Sequence, residues 1–246
     1  MNAKEKKKEQ KPRSEDSDAG TADLIRELGL AIPGTDFESD LQYISIIGSI
    51  EGHIALPMEN KTTKYEHLIP QLIAVEENPK LRGLLVILNT MGGDVEAGLA
   101  LAEMIATLSK PTVSLVLGGG HSIGIPLATA TDYSFIAGTA TMTLHPIRTT
   151  GLVITAETTF DYMRKTQDRV IDFIAGHSRA TRKRVTELMN CSDNMSNDVG
   201  TILFGKEAVE AGIIDAVGGV SQALGELRRR VAKVDELEKE ISTSTD

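Results

Sequence analysis

An α/β fold of repeated strand–turn–helix units is what the sequence predicts, and three observations predict it. GLLVILN (83–89) and TVSLVL (112–117) are continuous apolar runs of strand length, the mark of strands buried on both faces. Each run passes through a glycine-rich turn, TMGG or GGGHS, into a segment with helical apolar spacing. The chain has 246 residues, 41% of them apolar and 25% charged, which is enough to bury a core and is neither collagenous nor disordered in bulk.

The elements follow in order. Residues 1–20 mix lysines with Glu and Asp, bury too little apolar surface to offset ordering entropy, and read as a disordered charged tail. Residues 21–42 are a lead-in. YISIIGSI, from Tyr43, is β-branched and ends at Gly52, so it reads as a strand. Lys64 to Asn78 places Leu68, Leu72, Ile73 and Val75 at helical spacing and stops before Pro79. After the 83–89 strand and its turn, Asp94 caps a helix running through Ala97, Leu99, Leu101, Met104, Ile105 and Leu108. Pro111 breaks that helix, the 112–117 strand follows, and a helix covers Gly124–Ala130.

Short strands are expected near 133–136 and 141–145. Residues 156–190 read as a long helix interrupted near Gly176, and GKEAVEAGIIDAVGG (205–219) as a short helix, a turn and a strand at Ile213–Val217. The segment from Ser221 to Ile241, with RRR and then DELEKE, reads as a charged, solvated or partner-facing helix, with 242–246 frayed. The organisation is thus a tail (1–20), a lead-in (21–42), one domain (43–220) and a charged C-terminal helix with its end (221–246).

Composition narrows the function classes. Twenty-six Lys and Arg against 35 Asp and Glu give a net charge of −9, which argues against nucleic acid as a partner. Trp is absent and aromatics are only 4%, so no base-stacking platform is expected. The single Cys191 excludes an internal disulfide framework and a cysteine-based zinc cage, and fits a reducing compartment. No run approaches the roughly 18 apolar residues of a spanning helix, and no apolar stretch follows the N-terminal charges as in a signal peptide. A cytoplasmic protein without an integral membrane segment is expected.

Two glycine clusters stand apart because each follows a buried strand and opens a helix: NTMGGD (89–94) and GGGHSIG (118–124). Backbone N–H groups at such turns can hold an anion or an oxyanion. Neither has nucleotide-loop spacing. Ser122 lies in Gly120-His121-Ser122-Ile123-Gly124, a G-x-S-x-G turn that presents a hydroxyl at a helix start. A plain N-cap serine is the alternative. Of five histidines, His53, His67 and His177 suit surface positions, and His121 adjoins the serine but points elsewhere on the turn. His145 ends the alternating segment TMTLHP, where Pro146 holds it, and a structural histidine is the alternative there. A base histidine needs a carboxylate. Asp161, Asp168 and Asp172 lie in expected helix, Asp193 and Asp198 in the loop SDNMSNDVG, and spacing does not choose among them.

Taken together, four segments in order resemble the Clp peptidase family, the ClpP-like serine peptidases, from about Tyr43 to Val220. NTMGGDVEAGLALAEMI is similar to N-S-P-G-G-x-V-x-A-G, and GGGHSIGIPLATATD to G-x-x-A-S-M-G around the nucleophile. TMTLHP is similar to the strand bearing the catalytic histidine, and FGKEAVEAGIID to S-x-x-E-A-x-x-Y-G-L-I-D.

The resemblance implies a ClpP/crotonase-like ββα superhelix and a serine endopeptidase acting on peptides or unfolded polypeptides, with Ser122 as nucleophile and His145 as base. It implies Asp198 as the orienting acid, with Asp193 the other candidate, and the amides of Gly92 or Gly93 and of Ile123 as the oxyanion hole. It implies no cofactor and no metal, and a homo-oligomeric ring, heptameric and open to stacking through the polar segment 150–190. It assigns no unfoldase ATPase. Within the family the similarity leans toward a branch whose name links it to preprotein export, so a part in preprotein translocation or signal-peptide processing is expected through that likeness alone.

The sequence departs from the family pattern at Met91, which replaces Pro, at Ile123, which replaces Met, and at the GGGH stretch before the serine. A small insertion separates the Asp198 region from Gly205, and the charged N-terminus is longer, so pore entry is expected to be controlled differently. Four other readings compete. An α/β-hydrolase esterase would need His177 as base with Asp161, Asp168 or Asp172. A signal-peptide-peptidase-like enzyme would use a Ser–Lys dyad. An inactive ring would serve as a scaffold or chaperone. A crotonase-type acyl-CoA enzyme would not need Ser122 and His145 together.

Overall fold

The apolar runs become neighbouring strands. In the computed structural model, which describes residues 39–148, 155–192 and 199–244, the strands are β1 (Leu41–Glu51), β2 (Thr62–Lys64), β3 (Gly83–Gly93), β4 (Thr112–Gly120), β5 (Tyr133–Ile136), β6 (Thr141–Leu144), β7 (Thr201–Phe204) and β8 (Ala216–Val217). The sheet runs β2-β1-β3-β4-β5-β8, all parallel. β6 leaves this path: it meets β4 at Gly119↔Thr141 and pairs antiparallel with β7.

The helices are α1 (Tyr65–Glu77), α2 (Val95–Ala106), α3 (Gly124–Thr129), α4 (Ala156–Gly176), α5 (Arg182–Met189), α6 (Gly205–Glu210) and α7 (Val220–Ser244). Asp94 caps α2 as the sequence predicts, its carboxylate accepting the Ala97 N–H at 2.8 Å.

Strand alternation divides the core. Leu84, Val86 and Leu88 of β3 join Leu72, Leu101 and Leu127 from α1, α2 and α3 on one face. Leu85 of β3 turns the other way, with Val113 and Leu115 of β4 and Phe135 of β5, against Ala223, Leu227 and Val231 of α7. Helices on both faces are why these strands read as unbroken apolar runs.

α7 corrects the expectation of a merely solvated or partner-facing helix. Ala223, Leu227 and Val231 repeat every four residues, and their stripe seals the outer face of the sheet. Two further differences have local causes. The predicted TMGG turn is the end of β3, because Gly92 and Gly93 pair with Ser49 and Ile50 across a register shift at Gly48. The strand expected from Ile213 shrinks to Ala216–Val217. The Arg179 guanidinium takes the Ile214 carbonyl at 2.9 Å and the Ser134 hydroxyl takes the Asp215 N–H at 3.0 Å, so those groups are spent outside the sheet. The interruption expected near Gly176 is where the helix over 156–190 splits, and Thr181 caps α5 by accepting the Arg184 N–H at 3.2 Å.

The charged tail, most of the lead-in, Asp193 and Asp198 lie outside the described residues. No helix among the described residues is long and apolar enough to cross a membrane.

Candidate active site

β3 and β4 are adjacent and parallel, so their C-terminal ends bring the two glycine clusters to one edge of the sheet. Crevices at the carboxyl ends of parallel strands are where α/β sheets bind ligands. Here the serine turn leaves β4 at Gly120 and enters α3 at Gly124. Ser122, midway, has φ +56°, the one non-glycine residue with positive φ among the described residues. Such a conformation costs about 1–2 kcal/mol for an L residue, and the surroundings hold it. The His121 N–H donates to the Thr90 carbonyl at 3.1 Å, Ser122 N–H to Thr143 at 2.8 Å and Gly124 N–H back to His121 at 2.8 Å. The Ile123 N–H has no acceptor among the described residues, and neither has the Ser122 hydroxyl.

Ser122 and His145 line one cavity of about 130 Å³, with Gly93, Ile125, Val170 and Ile174 among its other lining residues. The His145 Nδ1 lies 2.7 Å from the Pro146 carbonyl. A carbonyl only accepts, so Nδ1 carries the proton and Nε2 keeps its lone pair. That is the tautomer a general base needs. A larger groove of about 670 Å³ runs beside α7, but its Arg82 and Asp235 pair with each other and it holds neither Ser122 nor His145.

The glycine turn separates its two amides. The Gly92 N–H donates to the Thr90 hydroxyl at 3.0 Å. The Asp94 N–H donates to the Ile50 carbonyl at 3.0 Å, so strand alternation turns the Gly93 N–H away from β1, on the side of the cavity that Gly93 lines. Both positions require glycine. Gly92 has φ +92° and Gly93 φ +150°. A Cβ on Gly92 would stand 2.7 Å from the Ser122 Cβ, and one on Gly93 2.2 Å from the Ile50 carbonyl oxygen.

The other histidines fall away from the cavity. The His121 Nδ1 meets the Thr143 hydroxyl at 2.9 Å. Burial first, and then repulsion from His145, hold the His121 pKa below the ordinary histidine value. His177 caps α4, bonded to the Phe173 carbonyl at 2.8 Å and stacked on the Phe173 ring. His53 sits edge-on to Tyr65. The helical carboxylates have cationic partners: Asp161 pairs with Arg164, and Asp168 and Asp172 with Arg182.

Three contributors escaped sequence reasoning: Thr90, Thr143 and the Pro146 carbonyl. Only Thr90 left a trace, as a polar residue inside a glycine motif. The other two act through backbone atoms or through a side chain on β6, more than 20 residues on in the chain.

With this geometry in view, comparison with known proteins gives a consistent result. Residues 39–221 match the family model described as Clp protease. The chain is 53% identical over 222 residues to the translocation-enhancing protein TepA of Halalkalibacterium halodurans, covering 90% of this chain and 87% of that one. It is 25% identical over 162 residues to the ATP-dependent Clp protease proteolytic subunit of Streptococcus uberis, covering 61% and 76%. A solved ClpP1 mutant of Listeria monocytogenes shares the fold with TM-score 0.60 at 18% identity, covering 74% of this chain and 94% of that one. The architecture is the ClpP-like α/β fold, and the chain belongs to the Clp protease family.

Proposed function

We propose that the chain is a serine peptidase that hydrolyses peptides or unfolded polypeptides through an acyl-enzyme. The observation that carries this reading is the shared cavity: Ser122, held at positive φ on the β4–α3 turn, and His145, with its Nε2 lone pair free, face the same small space. In the proposed reaction His145 takes the Ser122 proton, the Ser122 oxygen attacks the scissile carbonyl, and the amides of Ile123 and Gly93 receive the oxyanion. His145 then protonates the leaving amine, and water releases the acyl group by the same route in reverse. Gly93 is preferred to Gly92 because the Gly92 N–H is already spent on Thr90.

Asp198 is the proposed acid behind His145. Two residues further on, the Gly200 backbone packs against His145, where a Cβ on Gly200 would lie 3.0 Å from the His145 Cβ. Asp193 is the other candidate, since the Gly200 N–H donates to the Cys191 carbonyl at 2.7 Å and closes the loop that carries both. A ring of identical subunits, heptameric and open to stacking, and a part in preprotein translocation belong to the same proposal. They rest on the family and on the relative's name. Native mass spectrometry tests the ring.

A fluorophosphonate probe followed by peptide mass spectrometry tests the chemistry. The expected adduct is on Ser122, absent in Ser122→Ala and slowed by about six orders of magnitude in His145→Ala. Loss in Asp198→Ala but not Asp193→Ala would name the acid. A second reading, a non-hydrolytic ring that assists export, is favoured by two observations: the Ser122 hydroxyl has no hydrogen-bond partner among the described residues, and the His145 Nδ1 is given to a carbonyl rather than a carboxylate. No labelling of the assembled ring would establish it over the first.

A further inference from the structure

We infer that Thr90 is a positioning residue that decides which amide of the glycine turn faces the nucleophile and fixes the distance between the two catalytic turns. The inference rests on the peptidase reading and deepens it. Thr90 is almost fully buried, 2% exposed, and sits two residues before Gly92. Its hydroxyl donates to the Gly48 carbonyl at 2.6 Å, which ties it to β1. The same oxygen accepts the Gly92 N–H at 3.0 Å. Its carbonyl accepts the His121 N–H at 3.1 Å, which ties the glycine turn to the nucleophile turn one residue before Ser122. Its methyl group fills the space beside α3, since a Cβ on Gly124 would lie 2.7 Å from the Thr90 Cγ2.

One side chain and its carbonyl therefore touch β1, the glycine turn, the nucleophile turn and the start of α3. The chemistry requires a hydroxyl here. A group that donates to one side and accepts from the other bridges Gly48 O and Gly92 N–H; a valine of the same shape would break both bonds in a buried place. With the Gly92 amide drawn inward, Gly93 alone offers its N–H to an oxyanion. A preorganised donor is effective only if it is aimed before the charge develops, and the Thr90 bridge does the aiming. The resembling family segment, N-S-P-G-G, keeps a hydroxyl at the corresponding position.

The test uses the full-length assembled protein and compares wild type, Thr90→Val and Thr90→Ser. Misaimed donors should slow fluorophosphonate labelling of Ser122 in Thr90→Val about 10- to 100-fold. Peptide hydrolysis should lose kcat by the same factor with KM within about twofold, since an interaction made only in the transition state is lost. Thr90→Ser should restore both to within about threefold, which a merely space-filling role for the methyl would not. Wild-type rates in Thr90→Val, or a well-folded Thr90→Ser that stays as slow as Thr90→Val, would overturn the inference.

Amide hydrogen exchange of the wild type, with residue resolution from electron-transfer fragmentation, tests it without any variant or activity. The Gly92 amide should exchange at least about tenfold more slowly than Gly93, as a buried bonded donor does beside an open one. Equal exchange of the two would overturn it. If wild-type Ser122 does not label at all, the peptidase reading falls while the exchange pattern still decides the positioning of the turn.

Discussion

The two glycine-rich turns lie side by side at the ends of β3 and β4, yet they solve backbone strain in opposite ways. In the first, both residues with positive φ, Gly92 and Gly93, are glycines, and the unusual conformation costs little. In the second, the positive φ falls on Ser122, with glycines on either side of the turn rather than at its strained position. The first turn offers only backbone amides, so a side chain would be in the way. The second presents a hydroxyl and carries a strain a glycine would relieve. Backbone strain at a site is retained where surrounding contacts over-determine it, as the Thr90, Thr143 and His121 bonds do here.

Breaking the first turn should have the largest effect. In Gly93→Ala the new Cβ would stand 2.2 Å from the Ile50 carbonyl oxygen, so β1 must shift. Overpacking of this kind costs about 3 kcal/mol. Thermal unfolding of Gly93→Ala beside Gly138→Ala checks it: a Cβ on Gly138 meets open space, and its midpoint should stay at the wild-type value. Equal midpoints in the two variants would remove the steric argument for glycine.

Making the second turn like the first should do the reverse. Ser122→Gly removes a strained L residue, and the midpoint should rise by the equivalent of about 1 kcal/mol, while fluorophosphonate labelling disappears. An unchanged or lowered stability would mean that the Ser122 conformation is not stored strain.

The smallest effect concerns His121, which adjoins the strained serine. Burial keeps its folded pKa below the unfolded value, so the unfolded chain binds the proton that the folded chain refuses. Stability is then full above the ordinary histidine pKa of about 6.5 and is lost as pH falls through it toward the lower folded value. His121→Asn keeps an amide beside Thr143 and cannot titrate. Melting curves between pH 5 and 8 should be flatter for His121→Asn than for wild type on the acid side. Parallel curves would place the acid sensitivity elsewhere.

The sequence made the central strands, the Asp94 cap and the Ser122 turn legible, for one reason: each is decided locally. Leu84 to Leu88 must be apolar throughout because both faces of β3 are covered, and a carboxylate before a helix caps it wherever the helix packs. What escaped is decided by distant partners. β7 is four residues alternating buried and exposed, and it is a strand because β6 lies antiparallel to it. The charged composition of α7 hides a three-residue apolar stripe whose meaning depends on Phe135 and Leu85. The choice between Gly92 and Gly93 turned on the Thr90 hydroxyl, and nothing in NTMGGD says which amide that hydroxyl will hold.

The outer face of the sheet also sets an order of events during synthesis. Leu41 and Leu85 emerge from the ribosome long before Leu227, the residue that covers them, and folding of that face waits for α7. From residue 85 to residue 227 is 227 − 85 = 142 residues, or roughly 7–28 s of translation at ~5–20 residues per second. Throughout that interval the nascent chain carries an uncovered apolar sheet, the kind of surface that draws chaperones or aggregates. A chain cut after Gly219 would hold every proposed catalytic residue and remain in that unfinished condition.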